Sequence, residues 1–365
     1  MERHLLLAGG GHAHVEVLRQ LAEQRLSGWR VTLVTRERHS PYSGMLPGVA
    51  AGLYRPDQAL IDTAPLAARA GATLVVDSVT GLDPASRLVR REGGPALAYD
   101  LLSLDTGATP DAAVSGAAAH AVALKPIDAL LPRLDALVAG ARPGQLVALV
   151  GGGAAGVEMA AALAARLGPM GVRILLATGA PGLLPGMPSR LRGRAALELA
   201  RRGVILMLDE VTQVTPQGLS LEVSPPVAAD AVLWATGAAA PAWLADCGLA
   251  RDAQGFVAVE ATLRSRSHSE VFAAGDIAGF DPALPKSGVV AVRQGPVLAR
   301  NLRAAATGQA LARYRPQRHW LVLLSLGDRR ALGTRNGLVF GGRLVWWWKD
   351  MIDRRFVARY REAEA

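Results

Sequence analysis

Two stretches about 140 residues apart carry the same uncommon pattern, and a chain holding both has few folds open to it. In the first, the apolar run Leu5, Leu6, Leu7 and Ala8 meets Gly9-Gly10-Gly11, after which Val15, Leu18, Leu21 and Ala22 recur at helical spacing. In the second, Gln145–Val150 leads into Gly151-Gly152-Gly153 and a helical run through Met159. Strand, glycine turn and helix together form a pocket for a dinucleotide pyrophosphate. The first glycine permits the tight turn, the second lets backbone approach the phosphates, and unpaired N–H groups at the helix start face the anion. The second copy fills all three glycine positions with Gly151, Gly153 and Gly156; in the first, His14 stands at the third. One such turn is weak evidence. Two outweigh a reading as unrelated glycine loops.

A chain of 365 residues implies two or three domains. With 50% hydrophobic and 19% charged residues it is globular. The net charge of +9 rests almost wholly on arginine, since Lys125, Lys286 and Lys349 are the only lysines. With many alanines and no nucleic-acid-binding motif, this reads as compositional bias, and no nucleic-acid partner is expected. The single cysteine, Cys247, excludes an intramolecular disulfide and any cysteine-pair redox centre, and reads as a small buried residue. The first strand begins by His4, leaving no room for a signal peptide, and no run reaches the roughly 18 apolar residues of a spanning helix. A cytoplasmic protein is expected, at most peripheral at the inner face of the membrane.

Between the two turns, Arg30–Thr35 reads as a second parallel strand. An acidic residue near such a strand end usually bonds the adenosine ribose. Thr35 stands there instead, with Glu37 two residues on, as the available substitutes. The Gly/Pro-rich segment 39–54 predicts a ligand-side loop, residues 59–70 a helix, and 73–76 and 87–91 strands. Tyr99–Ala108 is a buried strand ending in Thr106-Gly107, and the apolar spacing of Ile127, Leu130, Leu131, Leu134 and Leu137 predicts a helix. After the second turn the strand Val172–Ala177 again lacks a ribose acid. Arg190, Arg192 and Arg194 downstream suit either a 2′-phosphate or a solvated helix face, the second being preferred. Asp230–Gly237 echoes the earlier strand and ends in Thr236-Gly237. Residues 270–279 run into Gly275-Asp276, and a helix follows from Gly288. Short strands are expected over 319–344. A final helix over 345–361 carries Val345, Trp348, Ile352, Phe356 and Tyr360 on one face. His12 and His14 have H-x-H spacing without a third ligand nearby, so no metal site is read there.

These marks together resemble the two-dinucleotide-binding-domain flavoproteins of the pyridine nucleotide–disulfide oxidoreductase superfamily. The chain is most similar to the type II NADH dehydrogenase branch, and there to the group also found fused to selenide, water dikinase. That last likeness lies in Gly-Gly-Gly-His-Ala-His, Pro41–Gly48, Pro285-Lys286-Ser287-Gly288 and Trp348–Phe356. The resemblance implies an α/β fold of two Rossmann-like domains, the second inserted into the first, with a small C-terminal α+β segment. The expected bounds are 1–108 and 238–318 for the FAD-binding domain, 109–237 for the NAD(P)-binding domain and 319–365 for the tail.

It also implies that Gly9, Gly11 and His14 border the FAD pyrophosphate, with Thr106-Gly107 near the adenosine half. Asp276 after Gly275 would bond the ribityl–phosphate region, the alternative being a turn cap, and the Gly288 helix start would face the flavin ring. Gly151, Gly153 and Gly156 would cradle the NAD(P)H pyrophosphate. Glu158 would project toward the stacked nicotinamide, or be an ordinary first-turn carboxylate. Lys286 is the candidate acceptor-side contact, or a surface loop lysine. Relatives that act on disulfides or sulfide use cysteines beside the flavin, which Cys247 alone does not supply. The implied activity is an FAD-dependent NAD(P)H dehydrogenase passing electrons to a quinone or similar small acceptor. Two alternatives stay open: a different small reductant linked to selenium or sulfur, and a non-catalytic redox sensor. The tryptophan- and arginine-rich final helix suits peripheral membrane contact, or packing on the flavin domain or the second subunit of a homodimer.

Overall fold

The computed structural model describes residues 2–111, 113–317 and 320–361. The first apolar run forms β1 (Arg3–Ala8), buried from His4 onward as a central parallel strand must be. It turns through Gly9–Gly11 into α1 (His12–Glu23), and β2 (Trp29–Thr35) and β3 (Ala72–Val76) follow on one side. On the other side lie β4 (Leu101–Leu104), which leads to Thr106-Gly107, and beyond it a strand from much later in the chain.

The second half-repeat builds the same plan. A short β5 (Val122–Ala123) precedes β6 (Leu146–Val150), whose glycine turn opens α2 (Ala154–Leu167). Then come β7 (Arg173–Ala177), α3 (Ser189–Arg201), β8 (Ile205–Met207) and β9 (Ala231–Trp234). The sheet order is β5-β9-β6-β7-β8, all parallel. The late strand of the first sheet is β10 (Val271–Ala273), giving β10-β4-β1-β2-β3, also all parallel. The second sheet thus interrupts the chain of the first. The two crossings run side by side, Thr109–Pro110 pairing antiparallel with Ala238–Ala239. In both sheets the glycine-turn strand lies beside the Thr-Gly strand, so both loops gather at the carboxyl edge, where open α/β sheets meet ligands.

α4 (Gly288–Thr307) packs along α1, burying Leu298, Ala299 and Leu302 in the core that holds Val15, Leu18 and Leu21. The tail is an antiparallel sheet, β11 (Val322–Ser325), β12 (Ala331–Arg335) and β13 (Leu338–Gly342), followed by α5 (Arg343–Arg361). It joins both units. Leu324, Leu326 and Leu332 enter the core around α2 and α3, whereas Val357 and Tyr360 enter the core of α1 and α4. Among the described residues, no helix is long and apolar enough to cross a membrane.

One expectation needs correction. Residues 59–70 are not one helix: Leu60–Asp62 pairs antiparallel with His39–Pro41, and helix starts only at Thr63. Asp62 causes the break, its carboxylate accepting the Ala64 N–H as an N-cap. Of the two readings of the α5 stripe, membrane contact and packing on the flavin domain, its C-terminal part takes the second, while Ile352 stays exposed. Phe356 stacks on Tyr42 with ring centroids 4.3 Å apart, and Tyr360 is buried with its hydroxyl donating to Glu16. Burial beats exposure for these rings because α1 and the 42–46 turn present an apolar wall to them.

Candidate active site

Both glycine turns need glycine first. Gly9 and Gly151 have φ of 104° and 122°, and a Cβ at either would overlap the backbone of the neighbouring Thr-Gly strand. At the third position the two turns diverge. A Cβ on Gly156 would collide with the Gly151 carbonyl, so α2 lies close against its turn. In the first turn His14 resolves the same conflict by bonding: its Nδ1 lies 2.6 Å from the Gly9 carbonyl and its Nε2 2.7 Å from Ser103 Oγ. The ring is wholly buried, and burial lowers its pKa to about 4. It is therefore neutral, with Nδ1–H donating to the carbonyl and Nε2 accepting from the serine. This corrects the expected phosphate contact, because both ring nitrogens are engaged inside the protein.

Asp105, just before Thr106-Gly107, escaped the sequence reading. Its carboxylate accepts the N–H groups of Ala13 and His14 at 2.9 and 3.0 Å, on the start of α1. Burial pushes its pKa well up, and the two amides only partly pull it back. A charged residue at the end of an otherwise apolar strand was the available signal. Thr35 is buried beside Gly10, its hydroxyl donating to the Glu37 carbonyl, while the Glu37 side chain is exposed. Asp276 follows Gly275, whose N–H donates to Gln294 Oε1, and forms a 2.7 Å ion pair with Lys125. That pair links the segment after β10 with the one after β5. Gly288 opens α4 against Ser43 and His12.

Around this turn three buried polar atoms have no partner among the described residues: His12 Nε2, Thr106 Oγ1 and Gln294 Nε2. Groups so placed need something to bond, and with the α1 N-terminus and Asp276 they fit a cofactor carrying phosphates and hydroxyls.

The second turn leads to different chemistry. Glu158, in the first turns of α2, points at the tail, where its Oε1 accepts the Ser325 N–H at 2.7 Å. Burial raises its pKa to about 7, against the opposing pull of Lys349 and the Ser325 amide. Lys349 is buried on α5 and donates to Asp353 Oδ2 and to the Gly44 carbonyl, each at 2.7 Å. Burial works against its charge, but Asp353 and Glu158 outweigh it and hold the ammonium above its ordinary pKa. Tyr42 donates to the other oxygen of Asp353 at 3.1 Å. Buried Lys349 and Asp353 with half-buried Tyr42 and Glu158 thus form an ionisable cluster joining both nucleotide units to the tail.

Lys286 does not join it. Its ammonium donates to the Ala278 carbonyl at 2.7 Å and lies 3.5 Å from the centre of the Phe256 ring. Burial lowers its pKa to about 8. Lys349, not Lys286, is the lysine beside the candidate acid. Thr236 donates to the Asp111 carbonyl and lines a cleft with Gly151, Thr178, Gly179 and Glu210, and Gly237 follows it.

The model of the pyridine nucleotide-disulphide oxidoreductases matches residues 3–295. The chain belongs to this family. Its members are oxidoreductases that use FAD with NAD(P)H. The demethylphylloquinone reductase NdbB of Synechocystis sp. is 31% identical over 226 residues, 59% of this chain and 54% of that relative. The chain thus spans about half of that protein's length. The NADH dehydrogenase-like protein YutJ of Bacillus subtilis is 26% identical over 91% of this chain and 92% of its own. The sulfide:quinone oxidoreductase of Aquifex aeolicus superposes with a TM-score of 0.83 at 17% identity, covering 99% of this chain and 92% of that one, a likeness of fold alone.

Proposed function

We propose that this protein oxidises NAD(P)H through bound FAD and delivers the electrons to a quinone. FAD would lie on the first turn, held by the α1 N-terminus, Asp276 and the unpartnered Thr106 and Gln294 groups; the nucleotide would lie on Gly151, Gly153 and Gly156. When bound, FAD supplies the hydride acceptor that the side chains lack. The observation that carries the reading is the ionisable cluster of Glu158, Lys349, Asp353 and Tyr42. Reduction of a quinone by NADH consumes one proton beyond the hydride. A carboxyl group with a pKa near 7 is suited to hold that proton at working pH. Lys349 stays charged and favours the carboxylate left after transfer, and the amide of Ser325 orients it. The name of the Synechocystis relative, a quinone reductase, supports the acceptor class.

The tail supports a peripheral membrane contact. Leu344 and Trp347 are 84 and 60% exposed at the start of α5, beside Arg343. Such a mixed apolar and basic edge suits an interface with anionic lipid. Purified protein should be yellow and should bleach anaerobically with NADH or NADPH, and quinone analogues should restore the colour. A flavin that neither nucleotide bleaches would refute the donor; one that bleaches but is not reoxidised by quinones would refute the acceptor.

A further inference from the structure

We propose that Glu210 reads the adenosine ribose of the nucleotide at the second turn and makes that site selective for NADH over NADPH. The inference rests on the reading of β6 and α2 as a pyridine-nucleotide site, and deepens it. In a unit of this kind an acidic side chain at the end of the second strand normally accepts the ribose hydroxyls. Here β7 is followed by Thr178-Gly179, which offers no carboxylate.

The neighbouring strand supplies one. β8 pairs in parallel with β7, Met207 lying opposite Ala177, so residues 208–210 emerge at the same sheet edge as Thr178 and Gly179. The Glu210 side chain then folds back over Gly179, so closely that a Cβ there would strike its carboxylate. Gly179 is the gap that the carboxylate fills. Thr178, Gly179 and Glu210 line one cleft with Gly151 of the turn, Val211 and Trp234. The backbone beneath Glu210 is pinned: its carbonyl accepts the Glu222 N–H at 2.9 Å, and Asp209 accepts the Ser224 N–H at 2.7 Å.

The charge balance gives the selectivity its sign. A carboxylate accepts hydrogen bonds and donates none, so it suits the 2′- and 3′-hydroxyls of NADH. A 2′-phosphate in the same place brings like charge against it. Among the described residues no cation forms an ion pair with Glu210. Of the arginines downstream, Arg192 donates to the carbonyls of Leu183 and Pro181 at 3.0 and 2.8 Å, bracing the 179–188 loop.

The test is equilibrium binding of ADP-ribose and of 2′-phospho-ADP-ribose to the FAD-loaded protein by calorimetry, which needs no turnover. Wild type should bind ADP-ribose about a hundredfold more tightly. Glu210→Gln should cut that ratio about tenfold, and Glu210→Arg should bring it close to one or invert it. Glu210 is exposed, so both variants should keep the wild-type melting temperature and flavin spectrum. Equal binding of both ligands by wild type, or an unchanged ratio in both variants, would overturn the role of Glu210 and leave the nucleotide site standing. Binding of neither ligand by wild type would overturn the site and the inference together.

Discussion

At the residue scale, two groups shifted by desolvation titrate in opposite senses, and each gives a prediction. Glu158 has its pKa raised to about 7 by burial. If it donates the proton that a quinone needs, kcat with a quinone analogue should fall as pH rises through about 7. Glu158→Gln should flatten that profile and lower kcat by roughly a hundredfold. A variant with an unchanged profile would remove Glu158 from the reaction. His14 lies the other way. Its folded pKa, near 4, is below the unfolded value of 6.5, so the unfolded chain binds the extra proton. Its contribution is present above pH 6.5 and lost as pH falls toward 4. His14→Ala should cost about 1–3 kcal/mol in urea unfolding at pH 7.5, since Ser103 and the Gly9 carbonyl lose their partner. It should also lose part of the acid sensitivity of wild type between pH 6.5 and 4. His14 was visible in the sequence as a departure from the glycine pattern. Its reason was not, because Ser103 is 89 residues away and only the pairing of β4 with β1 brings it near.

At the element scale, the two glycine-turn helices differ in how each meets its strand. α2 packs so closely that Gly156→Ala should cost about 1–3 kcal/mol by overpacking against the Gly151 carbonyl. It should weaken NADH binding as well, while leaving the flavin absorbance intact. α5 is the element whose role changes most between sequence and structure. Its Lys349-Asp353 spacing of four residues marks a same-face pair on a helix. That the pair is buried against Gly44 and Tyr42 follows only from where the helix docks. Lys349→Met should therefore be strongly destabilising, by about 3–5 kcal/mol, because it leaves Asp353 without its cation beside Glu158. Thermal melts of K349M and of the double variant K349M/D353N would check this, the second recovering part of the loss.

At the scale of the whole molecule, the tail acts as a clamp. Its sheet is bonded to the second unit through Arg202, which donates to the Leu326 carbonyl and pairs with Asp328, and its helix is bonded to the first through Glu16 and Tyr360. The candidate cluster exists only where these three parts meet. The exposed edge at Leu344 and Trp347 lies on that same helix. Leu344→Ser with Trp347→Ser should weaken sedimentation with anionic vesicles several-fold while leaving bleaching by NADH in solution unchanged. Undiminished sedimentation would exclude this edge as the membrane contact.

Local chemistry was enough for the two glycine turns, the strands that feed them and the Thr-Gly and Gly-Asp strand ends, because each depends on neighbours within a few residues: apolar runs, a φ that only glycine adopts freely, a helix start. Two parallel sheets follow from repeating that unit; their nesting was implied by the family resemblance and is seen where β10 joins β4. Partners from distant segments were decided by tertiary structure alone. His14 found Ser103, Asp105 reached the start of α1, and Lys349 came to stand beside Asp353 and the Gly44 carbonyl. The ribose acid missing from the end of β7 came from the strand beside it. Hydrogen bonding and burial act between atoms close in space, and the linear order of the chain does not record which atoms those will be.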